Sequence, residues 1–113
     1  MNAEQLKDLV VTTLEDLKGK EISCLEVAKI TTITDYMVVV TGTSTRHVSA
    51  MADEVMKKVK EAGGTVNSRE GGGQAEWVLI DLGDVLVHVM LDETRKLYDL
   101  ESLWGMSPPA PEA

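Results

Sequence analysis

Three groupings of residues in this chain have the types and spacings that chemistry uses. The first is Thr41-Gly42-Thr43-Ser44, a glycine-bearing turn between a β-rich run and a helical one. A glycine before a helix amino terminus can open backbone N–H groups to an anion. The turn lacks the lysine and the glycine spacing of a P-loop, and nucleotidyl transfer would also require carboxylates gathered around magnesium. Its plainer reading is a helix cap at Thr43 or Ser44. The second grouping is Asp81 and Asp84, whose spacing across Leu-Gly suits hairpin geometry better than a metal pair. The third is imidazole: His47 and His88 are the two histidines, too few for a multi-histidine metal centre. No serine or cysteine stands in a nucleophile motif such as G-x-S-x-G. His47 falls in the first turn of a helix as a polar surface residue, and His88 is either a satisfied structural group or a contact.

A different kind of chemistry, recognition, is written in Trp77 to Met90, WVLIDLGDVLVHVM. Two apolar runs rich in β-branched residues flank an Asp-Leu-Gly-Asp turn, which predicts a β-hairpin. Strand alternation sends Val78, Ile80 and Leu82 to one face with Val85, Val87 and Val89. Trp77, Leu79 and Asp81 go to the other face with Leu86, His88 and Met90. The first set is plain core. The second mixes an indole, a carboxylate, an imidazole and a thioether, the composition of a surface that touches something. Trp77 can complete a core, yet its parity and the enrichment of tryptophan at interface hot spots favour a partner.

The elements that must carry these residues follow from periodicity. Leu6, Leu9, Val10, Thr13, Leu14 and Leu17 trace one buried helical stripe, with Gly19 as its left-handed terminator. Strands are expected over Ile22 to Ala28 and Tyr36 to Thr41. Val48, Met51, Ala52, Val55, Val59 and Ala62 mark a second helix from about Ser44, ended by Gly63 and Gly64. A short run from Thr65 to Ser68 precedes a glycine-rich loop, Arg69 to Ala75, and then the hairpin. Leu97, Leu100, Leu103 and Trp104 outline a short final helix, with Tyr98 divided between packing and contact. The order α-β-β-α-β-β-β-α describes an α/β single domain with a mixed sheet of about five strands covered by helices. The crossover through the second helix places its flanking strands in parallel, as neighbours or near neighbours. Two helices on one face leave the opposite face partly open, and there the mixed residues of the hairpin lie.

Composition bounds the partners. With 113 residues, 43% hydrophobic and 27% charged, the chain fits one soluble globular domain. It shows neither a membrane-length apolar run nor a signal-peptide core, which points to the cytosol. Cys24 is the single cysteine, so an internal disulfide is impossible, and it reads as a small buried hydrophobe. Nineteen acidic against eleven basic residues give a net charge of −8, which repels naked nucleic acid and suits a basic protein partner.

At these residues the chain resembles the ribosomal silencing factor family, the bacterial relatives of the plant Iojap protein. The resemblance rests on Thr34-Asp35, Thr41-Gly42-Thr43-Ser44-x-Arg46-His47-Val48, Glu70-Gly71, the hairpin from Trp77 to His88, and Tyr98-Asp99-Leu100-Glu101-x-Leu103-Trp104. It runs from the first helix through Trp104, implying a domain over residues 1–104 and a flexible tail over 105–113. What it implies is a nucleotidyl transferase-like topology without catalytic carboxylates, and a regulator that is not an enzyme and needs no cofactor. Such factors bind large-subunit ribosomal protein fourteen, a basic protein where the small subunit docks, and sterically block subunit joining when nutrients are scarce. The contact surface maps onto Trp77, Glu70, Leu79, Asp81, His88, Met90 and Tyr98, with a homodimer as a further expectation for the free protein. The alternative is a nucleotidyl transferase-type enzyme using Gly42 and Ser44 at a triphosphate. ATP with magnesium would then raise the melting temperature by several degrees, against no shift for a binding module.

Overall fold

The computed structural model describes residues 1–72 and 75–98. Helix α1, Ala3–Asp16, starts at a reciprocal capping box: the Asn2 side chain accepts from Gln5 N–H, and the Gln5 side chain accepts from Asn2 N–H. This satisfies amino-terminal donors that the helix itself cannot. Leu6, Val10, Thr13 and Leu14 are its buried stripe. The residue that leaves the helix in a left-handed conformation is Lys18, with φ 63°, and not Gly19 as expected. Gly19 is required for packing instead, because a Cβ there would sit 2.6 Å from Val40 Cγ2.

Five strands follow: β1 Lys20–Glu26, β2 Tyr36–Gly42, β3 Ser68–Glu70, β4 Trp77–Asp81 and β5 Val85–Leu91, with helix α2, Thr45–Glu61, between β2 and β3. They form one mixed sheet in the order β1-β2-β5-β4-β3. Only β2 and β5 pair in parallel; the other neighbours are antiparallel. The element order is therefore the expected one. β3 runs parallel to β2, but the hairpin of β4 and β5 lies between them, its tight turn closed by Leu82 N–H donating to Val85 O.

Several boundaries differ from expectation. β1 begins earlier, at Lys20, and its register shifts between Lys20 and Ser23, where Glu21 holds φ 49°. Arg69 and Glu70, expected in a loop, belong to β3 and pair with Ile80 and Leu79. Cys24, on the edge strand β1, is exposed and not buried as expected.

Helices α1 and α2 cover one face. Leu6, Val10 and Leu14 from α1, with Val48, Met51, Ala52, Val55 and Val59 from α2, pack on Val38, Val40, Val78, Ile80, Val85, Val87 and Val89. The hairpin parity is as expected. On the opposite face Met37, Val39 and Met90 are fully buried together with Val27, with Leu25 and Trp77 packed alongside. A last helix, α3, spans Asp92–Tyr98, beginning directly after β5 and earlier than the leucine spacing predicts. Acidic residues in its first turn, Asp92 and Glu93, and basic Arg95 and Lys96 in its last suit the helix dipole. Leu100, Leu103 and Trp104 lie outside the described residues, as does the expected tail from Gly105. No helix among the described residues is long and apolar enough to cross a membrane.

Candidate functional site: a tryptophan cleft on the second sheet face

Register fixes which side chains of the second face meet. Glu70 pairs with Leu79, Leu79 with His88, and His88 with Val39, making one row across β3, β4, β5 and β2. In the adjacent row Trp77 pairs with Met90 and Met90 with Thr41. The β1 and β2 end of this face is closed by α3. Arg95, nine-tenths buried, donates from Nη1 to Glu21 O at 2.6 Å and Thr41 Oγ1 at 3.0 Å, and from Nη2 to Ser23 Oγ at 2.9 Å. Among the described residues the β4 and β3 end stays accessible. There Glu70, Gly71, Trp77 and Leu79 line a cleft of about 280 Å³.

Within the cleft Trp77 and Leu79 are half-buried and Glu70 is exposed. Gly71 holds φ 89°, and a Cβ there would fall 2.6 Å from Trp77 O, so only glycine lets the end of β3 lie against Trp77. Trp77 Nε1 donates to His88 Nδ1 at 3.1 Å, with ring centroids 5.8 Å apart. An indole N–H can only donate, so the neutral His88 carries its own proton on Nε2. Burial alone pushes His88 down from 6.5 to about 4, since a charged imidazole loses its hydration there.

The sign of the resulting pH dependence follows from linkage. The unfolded chain takes up a proton on His88 below about pH 6.5, while the folded chain resists until about pH 4. Stability is thus complete above pH 6.5 and falls between 6.5 and 4, by about 3 kcal/mol at most. Denaturant unfolding of wild type and His88→Asn across that window checks this: the wild-type slope should be the steeper, and equal slopes would contradict it.

The expected site residues separate under this geometry. Glu70, Trp77 and Leu79 come together in the cleft. His88 and Met90 lie beneath it, His88 at 7% exposure and Met90 at none, so they support the surface and are not presented on it. Asp81 stands at the far end of β4, where its Oδ1 accepts from Gly83 N–H at 2.8 Å and fixes the hairpin turn. The Tyr98 side chain lies outside the described residues. Sequence reasoning missed Arg95. The signal was the pair of polar residues Ser23 and Thr41 on the second-face side of β1 and β2, which need hydrogen-bond partners where they are covered.

The Thr41–Ser44 turn is organised by its own chain. His47 Nδ1 accepts from Thr43 N–H at 2.9 Å, and His47 Nε2 stands 2.8 Å from Leu17 O, to which it donates in the matching tautomer. His47 therefore ties the end of α1 to the start of α2 and is no plain surface residue. Ser44 caps α2 by accepting from His47 N–H. A Cβ on Gly42 would lie 2.7 Å from Val48 Cγ2, so this glycine serves the approach of α2 to β2. Beside the turn, at the carboxyl ends of β2 and β5, an open cleft of about 560 Å³ is lined by Lys20, Glu21, Thr41, Gly42, Thr43, Leu91, Asp92 and Glu93. No cluster of three or more histidine, cysteine or carboxylate ligands suited to a metal ion occurs among the described residues.

Comparison with known proteins agrees with this architecture. The sequence profile of the family described as "Ribosomal silencing factor during starvation" matches residues 1–112. A Chromobacterium violaceum protein named ribosomal silencing factor RsfS is 46% identical over 110 residues, covering 97% of this chain and 90% of that protein. A protein of the same name from Haemophilus influenzae is 42% identical over 100 residues, 88% of this chain and 98% of its own length. An X-ray crystal structure of a Chromobacterium violaceum protein superposes with a TM-score of 0.93 at 44% identity, covering all of this chain and 94% of that one. With a matching profile over nearly its whole length, and relatives that share both sequence and fold, the chain belongs to the ribosomal silencing factor family.

Proposed function

We propose that this protein binds the large ribosomal subunit through ribosomal protein fourteen and prevents the small subunit from joining by occupying its docking face. The observation that carries the reading is the half-buried Trp77 beside Leu79 and Glu70 in a cleft that, among the described residues, is open on the second sheet face. A tryptophan in a cleft offers a large apolar anchor with little conformational entropy to lose. Around it lies a protein of net charge −8, suited to a basic partner and poorly suited to the phosphates of exposed RNA. The family to which the chain belongs supports a regulatory role at the ribosome, exercised in the cytoplasm without catalysis or a cofactor. For the alternative at Gly42 and Ser44, the Thr43 N–H that would meet a phosphate already donates to His47.

Sedimentation of the purified protein with isolated large and small subunits tests the reading. It should travel with the large subunit alone, and migration with neither or with both would contradict it. Charge gives a sharper version. Glu70→Lys should slow association and weaken binding, most at low salt, because an exposed charge acts over about one Debye length. Glu70 is the informative position, since Asp81 also holds the hairpin turn. Equal association rates for wild type and Glu70→Lys across a salt titration would exclude electrostatic steering.

A further inference from the structure

We propose that His88 is a positioning residue for the tryptophan cleft: its buried imidazole holds the Trp77 indole in one orientation by accepting the indole N–H at Nδ1, and it touches no partner itself. The proposal rests on the docking role of Trp77 given above.

His88 lies in a row with Val39 and Leu79, where a leucine would satisfy the packing without the desolvation that a buried imidazole suffers. What imidazole adds is an acceptor aimed across the diagonal to β4, at 3.1 Å from Trp77 Nε1. Diagonal neighbours on a sheet are within reach of side chains of this size. Trp77 opens β4 and is only half-buried, and the hydrogen bond adds a fixed direction to the packing of its ring. An anchor already held in its bound orientation loses less freedom on docking.

The test begins in the free wild-type protein. With ¹⁵N labelling, and the indole resonance assigned by its loss in Trp77→Phe, a scalar coupling across the hydrogen bond should connect Trp77 Nε1 with His88 Nδ1 at neutral pH. Its absence would overturn the proposal before any partner is added. Two variants then separate acceptor from bulk. In His88→Asn the amide oxygen takes the place of Nδ1, and affinity for the large subunit should stay within about twofold of wild type. His88→Leu keeps the burial and loses the acceptor, and affinity should fall roughly fivefold, the worth of one neutral hydrogen bond. If His88→Leu does not fold, as circular dichroism would show, the coupling and the asparagine variant decide. Leucine binding as tightly as wild type, or asparagine binding as weakly as a folded leucine variant, would show that the acceptor positions nothing. Undiminished binding by Trp77→Ala would instead refute the docking role on which the proposal rests, with the coupling unaffected.

Discussion

Trp77→Ala is expected to weaken binding to the large subunit about thirtyfold or more, the equivalent of roughly 2 kcal/mol for a hot-spot tryptophan, with the fold retained. The indole lines the cleft that it shares with Leu79, Gly71 and Glu70. Its removal also leaves the His88 acceptor without the indole donor. Circular dichroism and a melting curve are the controls. The larger core of the domain lies on the other side of the sheet, between the strands and the helices α1 and α2, and on the second face Trp77 only flanks the smaller cluster of Val27, Met37, Val39 and Met90, so truncating this half-buried side chain should leave the helix signal intact. Loss of that signal together with binding would mean that Trp77 serves the core; retained binding would remove the cleft from the docking surface.

Arg95→Met is expected to destabilise the fold by about 3 kcal/mol. The guanidinium joins α3 to three acceptors on β1 and β2, Glu21 O, Thr41 Oγ1 and Ser23 Oγ, and methionine fills similar space without a donor. Two of those acceptors are side-chain hydroxyls, and they would lose a charged donor at one buried and one part-buried bond. For a domain of this size the loss corresponds to a fall in melting temperature on the order of 10 °C. Because Arg95 bonds β1 and β2 and no described residue of α3 lines the tryptophan cleft, the variant should lose stability far more than affinity while it remains folded. A melting temperature within about 2 °C of wild type, under the same scaling, would show that Arg95 does not hold α3 in place.

What was legible in the sequence was whatever local rules decide. The parity of Val78 and Ile80 against Trp77 and Leu79 follows from strand alternation, and the turn at Gly83, with φ 86°, follows from glycine chemistry. Contacts between distant segments were not legible. Arg95 and Glu21 are 74 residues apart, His47 and Leu17 are 30 apart, and no periodicity announces either bond. The same limit explains His88 and Met90: alternation places them on the second face, but their burial depends on what else covers that face. Gly19 and Gly42 show a subtler failure. A glycine at an element boundary reads as a terminator or a phosphate loop, whereas both are present because Val40 and Val48 approach too closely for a Cβ. The start of β1 was missed because an irregular register at Glu21 hides the first strand residues from an alternation pattern.

Steric occlusion makes one demand that other modes of inhibition do not. A factor that occupies the docking face can act only on subunits that have not yet joined, so order of addition should govern the outcome. The decisive measurement is light scattering of subunit association with the protein added either to the large subunit first or to preformed ribosomes. Dose-dependent suppression is expected in the first order, with no nucleotide present, and little immediate change in the second. Rapid splitting of preformed ribosomes, or inhibition that depends on ATP hydrolysis, would contradict simple occlusion.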